Sequence, residues 1–419
     1  MLLRARYVLP VDGPPIKNGA VRVSGDCIAQ VGRARDLTGL PPANGDAAVD
    51  PVIDFGDAVI LPGLVNAHTH LDLTHWAGKV EPDSDFVGWL ERLRVAMHAA
   101  DDIQRELADS ADEGMRRSLA LGVTTVGDIT SRPAAVRRQL SHGPLRVVSF
   151  GEVIATGKNR GRLSRRLQAA VDGTYASDYL AIAVSPHAPY TIESDGIRAC
   201  VESAGRLGLR MCMHLAESPA EARYTQRGDG PFRDFLERMG LWDEVTRCPR
   251  MAPVALAHVC GVLGPRTVLA HCNYVSDEDM RLIRASGAHV AYCPRTHAAF
   301  GHEPHRFGEM MAMGINVCVG TDSLASNPSL SVLDEIRFLR SMWADFDGHT
   351  LLEMATIRGA RALGLADRIG TLTPGKSADI TVVPLDSNGL SDPLENLLTS
   401  KLQPAATIVR GRKVQSRHA

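Results

Sequence analysis

Hydrophobic and polar positions divide the chain into three stretches. The first sixty residues carry short β-branched runs broken by Gly, Asp and Pro, as in "GAVRVSGDCIAQVG" and "PVIDFGDAVILPG". That pattern reads as strands and turns without a helical period. The last fifty residues repeat it in "GTLTPGKSADITVVPLD" and "AATIVRGRKVQ". The long middle alternates instead. Eight short apolar runs occur, at 61–70, 124–129, 145–153, 180–190, 209–218, 267–274, 289–296 and 315–323, with helical patterns such as "DIQRELADSADEGMRRSLALG" and "DGIRACVESAGRLG" between them. Strands alternating with helices argue for parallel pairing through crossover helices. Eight such units predict a (β/α)₈ TIM-type barrel, an α/β fold. The two β-rich ends predict one small composite β-sandwich domain built from both termini. The expected division is 1–58 with 367–419 for the sandwich, and 59–366 for the barrel.

The apolar runs end in residues capable of chemistry. The first closes on "HTH", which is His68 and His70, two apart and so on one face of a strand. The fourth carries His187, the fifth His214 with Glu217 three residues on, the sixth His271, the seventh Arg295 and His297, the eighth Asp322. One histidine at a strand end is most often a satisfied polar group. A barrel gathers its strand ends at one mouth, so these residues bear on each other. Three neutral imidazoles with one carboxylate suit Zn²⁺, with Fe²⁺ the alternative, and leave a position open for water. Glu217, just past a strand that ends in histidine, is placed to move protons.

Composition narrows the class. Lys plus Arg number 46 and Asp plus Glu 48, a net charge of -2, which gives no electrostatic case for nucleic acid or an anionic membrane. No apolar run approaches the roughly 18 residues of a membrane span. The eight cysteines form no CxxC pair, and several lie in apolar runs, as expected of a reduced, cytoplasmic protein. The expected partner is a small-molecule substrate, and a homodimer is compatible with the reading.

The stretches "LPGLVNAHTHLD", "HLAES", "HCNY", "GTDSLASN" and "GTLTPGKSADI" together resemble the amidohydrolase superfamily. They are most similar to its ATZ/TRZ-like aminohydrolase branch, which holds methylthioadenosine/S-adenosylhomocysteine, guanine and aminodeoxyfutalosine deaminases. The resemblance implies His68, His70, His214 and Asp322 as ligands of one divalent metal. It implies Glu217 as proton shuttle, His271 over the water and substrate, Asp322 as a further proton acceptor, and His187 as a substrate contact. Binuclear members carry a carboxylated lysine, commonly after strand four. "AVSPHAPYT" has no lysine, so a mononuclear site is expected. The implied reaction is hydrolytic removal of an exocyclic amine from an aromatic N-heterocycle.

Substrate choice is less legible. A ribose-binding Glu of the methylthioadenosine deaminases lies past a Trp-Leu pair. Here the pair is Trp89-Leu90, and the register reaches His98, so Trp89 and His98 are candidate substrate contacts. "HTHLDLT", "DFVGWLERLR" and "GTDSLASNPSLSVLDEI" look more like the aminodeoxyfutalosine group. His297, His302 and His305, in the loop after strand seven, read as a solvated loop or as a wall of the substrate pocket. Arg160 and Arg162 are candidates for meeting a substrate carboxylate. Ser323 is read as a brace for Asp322, and Trp76 as packing. Two other classes stay open, a chlorohydrolase or cyclic amidase on the same scaffold and a non-catalytic structural relative.

Overall fold

The structure is a computed structural model and describes residues 1–38, 51–387, 389 and 391–416. All eight apolar runs of the middle form strands. These are barrel strands 1 to 8: Leu64–Thr69, Val123–Thr130, Arg146–Val153, Leu180–Pro186, Arg210–Leu215, Thr267–His271, His289–Tyr292 and Asn316–Val319. They stand side by side in chain order in one sheet, and a parallel bridge from Thr69 to Asp322 joins the last to the first. Barrel strands 2 and 3 are buried at every position. A parallel strand covered on both faces has no polar side, which is why these segments read as continuous apolar runs rather than alternating ones. Helices fill the connections. Ser194–Leu207, for example, ends at Gly208 in the left-handed region (φ 66), which turns the chain into barrel strand 5.

The described residues form two compact units: Met1–Asn66 with Arg116–Val126 and Ser331–Ala419, and Ala67–Met115 with Gly127–Leu330. The boundaries are not those of the strand pattern, because packing draws in neighbouring segments. In the first unit the Thr381 hydroxyl donates to the Gly122 carbonyl at 2.6 Å, and that of Thr407 to Leu119 at 2.7 Å. Gly359 lies so close to Val65 that a Cβ there would stand 2.9 Å from its side chain.

The termini meet in one eight-stranded mixed sheet. Its centre is Ala58–Pro62, which pairs parallel with Leu2–Val8 and antiparallel with Ile380–Pro384. Ile28 near one edge and Ile408 near the other belong to one core with Leu3, Val21, Ile60 and Ile380. The expected sandwich is therefore one continuous sheet around one core, since Ala58–Pro62 hydrogen-bonds to both halves. Among the described residues no helix is long and apolar enough to cross a membrane.

Candidate metal centre

Every residue of the site lies in the second unit. His68 and His70 leave barrel strand 1 on one face, and their ring centroids are 5.3 Å apart. Gly320 permits the approach of the eighth strand: a Cβ there would stand 2.6 Å from the His68 carbonyl oxygen. Asp322 follows, with Oδ1 3.7 Å from His68 Nε2 and 3.5 Å from His70 Nε2. His214, from barrel strand 5, brings Nε2 within 3.2 Å of His70 Nε2. Its Nδ1 lies 3.1 Å from the His187 carbonyl and so carries the proton, which leaves Nε2 a free lone pair.

Ligand-capable atoms of His68, His70 and His214 all lie within 4.8 Å of one another, as do those of His68, His271 and Asp322. Lone pairs gathered this closely are what a bound cation would join. His68 Nε2 and His271 Nε2 are buried with no hydrogen-bond partner. Burial pushes the His68, His70 and His271 imidazoles well below their ordinary range, and His214 to about 4, so the rings are neutral donors at pH 7. A divalent ion fits this donor set.

Glu217 is placed by a turn. Ser218 caps the helix Pro219–Arg227 by accepting from the Glu221 N–H. The buried Glu221 carboxylate reaches back to accept the N–H groups of Ala216 at 2.9 Å and Glu217 at 2.8 Å. This holds Ala216 at φ 51 and sets Glu217 Oε1 3.4 Å from His271 Nε2. Burial first, then Asp322 and Glu221, push the Glu217 carboxyl well above its ordinary range, while the Tyr190 hydroxyl, hydrogen-bonded to it, opposes the shift. His271, Cys272 and Asp322 are also left-handed, at φ 71, 53 and 57. Four non-glycine residues in this region, all at strand ends of one site, mark stored backbone strain.

The chain belongs to the amidohydrolase family. The family described as "Amidohydrolase family" matches residues 59–414. The 5-methylthioadenosine/S-adenosylhomocysteine deaminase of Moorella thermoacetica is 30% identical over 94% of this chain and 87% of its own length. Among solved structures, Helicobacter pylori aminofutalosine deaminase in complex with methylthio-coformycin superposes with a TM-score of 0.84 at 23% identity, covering 99% of this chain and 100% of that one. An adenosine deaminase from Xanthomonas campestris with bound zinc gives 0.79 at 24% identity, covering 98% and 92%. These two establish the fold.

Within this amidohydrolase the outer positions differ more from expectation. His187 has both nitrogens engaged, Nδ1 2.7 Å from Thr191 Oγ1 and Nε2 3.3 Å from Glu152 Oε1. Trp89 is 4% exposed, packs on Phe86 and Phe300, and donates its indole N–H to the Val80 carbonyl. That packing leaves no free face, so the expectation of a substrate contact is revised. His98 is exposed, with Nδ1 on the carbonyl of Arg94 one turn back. Arg160 is committed to Asp243 at 2.6 Å and Glu193 at 3.0 Å, and Arg162 is exposed. A guanidinium already matched by two carboxylates is a poor reader of a third. Ser326, not Ser323, braces Asp322, donating to Oδ2 at 2.8 Å.

The loop after barrel strand 7 is not a solvated one. His297 and His305 are buried, and His305 Nε2 donates to the His271 carbonyl at 2.9 Å. Burial lowers the His305 imidazole to about 3. Its unfolded value is near 6.5, so the unfolded chain binds the extra proton and stability falls as pH drops through the interval between them. From pH 7 to 5 this group costs about 2 kcal/mol. Denaturant titrations should show wild type losing about that much more than His305→Gln; parallel losses would show that His305 does not titrate between the two states.

Sequence reasoning passed over Glu221, Glu152 and two buried acids, Asp72, which accepts from the Thr130 hydroxyl at 2.9 Å, and Asp128, which accepts from the Leu71 N–H at 2.9 Å. Ser218-Pro-Ala-Glu221 is a capping-box pattern and could have been found. Glu152 and Asp128 stand as single acids inside apolar runs, a signal of the same grade.

Proposed function

We propose that the protein is a zinc-dependent hydrolytic deaminase that removes the exocyclic amine of an adenine-type nucleoside. The observation that carries the reading is the convergence of His68, His70, His214 and Asp322 with Glu217, which turns back to within 3.4 Å of His271. The relatives named above as deaminases of adenine nucleosides support it. Zn²⁺, when bound, lowers the pKa of a water it holds from 15.7 to about 7. His68, His70 and His214 would hold it through neutral nitrogens and Asp322 through Oδ1. Asp322, fixed by Ser326, would accept one proton of the water and return it to the leaving amine, which departs as ammonia. Glu217 would take the second proton and return it to the ring nitrogen beside the amine. His271 Nε2, with no fixed partner, would orient the polar group at the reacting carbon. A carboxyl held above its ordinary range holds a proton more readily than an exposed one, which suits Glu217 to carry a proton from the water to the ring.

The test is ammonia release from a panel of adenosine, methylthioadenosine, S-adenosylhomocysteine, aminodeoxyfutalosine and guanine, with metal measured on the same preparation. Close to one equivalent of zinc, and activity lost on chelation and restored by zinc, is the expected result. Less than a few tenths of an equivalent with no gain on reconstitution would favour a structural relative. Chloride release from a chlorinated ring without ammonia release would favour a chlorohydrolase.

A further inference from the structure

His271 and Glu217 sit on two turns that are bonded to each other. Where barrel strand 6 ends, the Cys272 N–H donates to the Leu215 carbonyl at 3.0 Å and the Tyr274 N–H to that of Ala216 at 2.9 Å. Asn273, also buried, donates Nδ2 to the Glu217 carbonyl at 3.0 Å. The three residues after His271 thus hold the three that end in Glu217. The two groups read as acting on the substrate, 3.4 Å apart, are fixed to each other through their backbones.

The pair also needs a hold outside itself. His271 and Cys272 are left-handed, at φ 71 and 53, and a strained turn keeps its shape only where its surroundings fix it. The loop 301–306 after barrel strand 7 supplies that hold. His305 Nε2 donates to the His271 carbonyl at 2.9 Å, on the peptide between the two strained residues. The Tyr274 hydroxyl accepts from the Glu303 N–H at 3.4 Å and lies 3.2 Å from His302 Nδ1, so its own proton goes to that nitrogen. Arg306 Nη1 donates to the Val275 carbonyl at 3.2 Å.

His305 is the most deeply buried of these ties. Its ring is 5% exposed and stacks on Tyr292 at 3.9 Å, which gives the N–H a fixed direction. Its other nitrogen, Nδ1, is buried with no hydrogen-bond partner. An apolar ring would fill the same space without an idle nitrogen. The bond to the His271 carbonyl is what a histidine adds here. That bond falls on backbone, so His305 acts through His271.

We propose that His305 is a positioning residue for the deamination: it fixes the turn that aims the His271 ring and, through Asn273 and Tyr274, the Glu217 carboxyl. The inference rests on the deaminase reading above and extends it to a loop outside the metal cluster.

The experiment compares His305→Phe, which keeps a ring to stack on Tyr292, with His305→Gln, which keeps an N–H donor. Ammonia release by the zinc-loaded enzymes is expressed per folded, zinc-containing molecule. Amide hydrogen exchange is read by mass spectrometry over residues 215–218 and 271–275. For His305→Phe, kcat should fall about tenfold to a hundredfold with KM little changed, the scale of misplacing a reacting group by an ångström. His305→Gln should recover most of that loss. Exchange in the Phe variant should quicken in both turns and keep wild-type rates in barrel strands 1 to 4. Turnover within about twofold of wild type, equal losses in the two variants, or faster exchange across the whole barrel would overturn the role. Should His305→Phe fail to fold, Tyr274→Phe cuts a tie at a half-buried position, and unchanged exchange and turnover there would overturn it as well. If wild type releases no ammonia from any nucleoside, the deaminase reading falls, and the exchange comparison still decides whether His305 holds the two turns.

Discussion

Glu217→Gln is expected to lower kcat by about 10²–10⁴, with zinc content unchanged. The amide keeps the shape of the side chain and its contact with His271, now 3.4 Å away, but cannot carry a proton. Because Glu217 is not among the groups that converge on the candidate ion, metal loading should not move. The pairing of those two readouts is what makes the test sharp. A loss of zinc would place Glu217 in the metal shell, and near-wild-type turnover with zinc retained would remove it from the chemistry. The burial that raises the carboxyl also predicts a distinct pH profile: the variant should lose the ionisation that Glu217 contributes to kcat.

Arg137→Met is the second large effect, and it acts on stability. Arg137 is 1% exposed on the helix Pro133–Leu140. Its Nε donates to Ser149 Oγ at 3.0 Å, and its Nη2 to the carbonyls of Ala170 at 2.8 Å, Ser149 at 2.9 Å and Ala183 at 3.2 Å. One guanidinium thus ties a helix to barrel strands 3 and 4 and to the helix between them. Burial lowers it to about 10, still fully charged at neutral pH. Methionine fills a similar volume but leaves those buried carbonyls without donors, at a cost of roughly 3–5 kcal/mol. Urea titration measures it. A loss under about 1 kcal/mol would mean that water replaces the arginine. Turnover per folded, zinc-loaded molecule should be unchanged.

The barrel was legible because periodicity survives burial: each of the eight apolar runs contains a strand, although the polar residues closing several runs lie past the last strand residue, as in 289–296 against His289–Tyr292. His68, His70, His214, His271 and Asp322 were legible for a related reason. A polar residue closing an apolar run has few structural uses, and the strand ends bring such residues together. The outer shell was less so. Arg160 looks free in sequence, and only the carboxylates contributed by Glu193 and Asp243 from distant segments show that it is already matched. Trp89 failed similarly, since its partner Phe300 lies more than two hundred residues away. Glu221 was hidden by its ordinary local role: a capping glutamate usually serves its own helix, and here it serves the turn before it.

The left-handed residues at the strand ends set selection for heat resistance against selection for rate. Ala216→Gly or Cys272→Gly would relieve backbone strain on the order of 1 kcal/mol. The same change would loosen the hinge that aims Glu217 or His271. Variants chosen only for melting temperature should therefore accumulate glycine at these two positions and become sluggish catalysts, while variants held to turnover should keep the side chain and the strain with it.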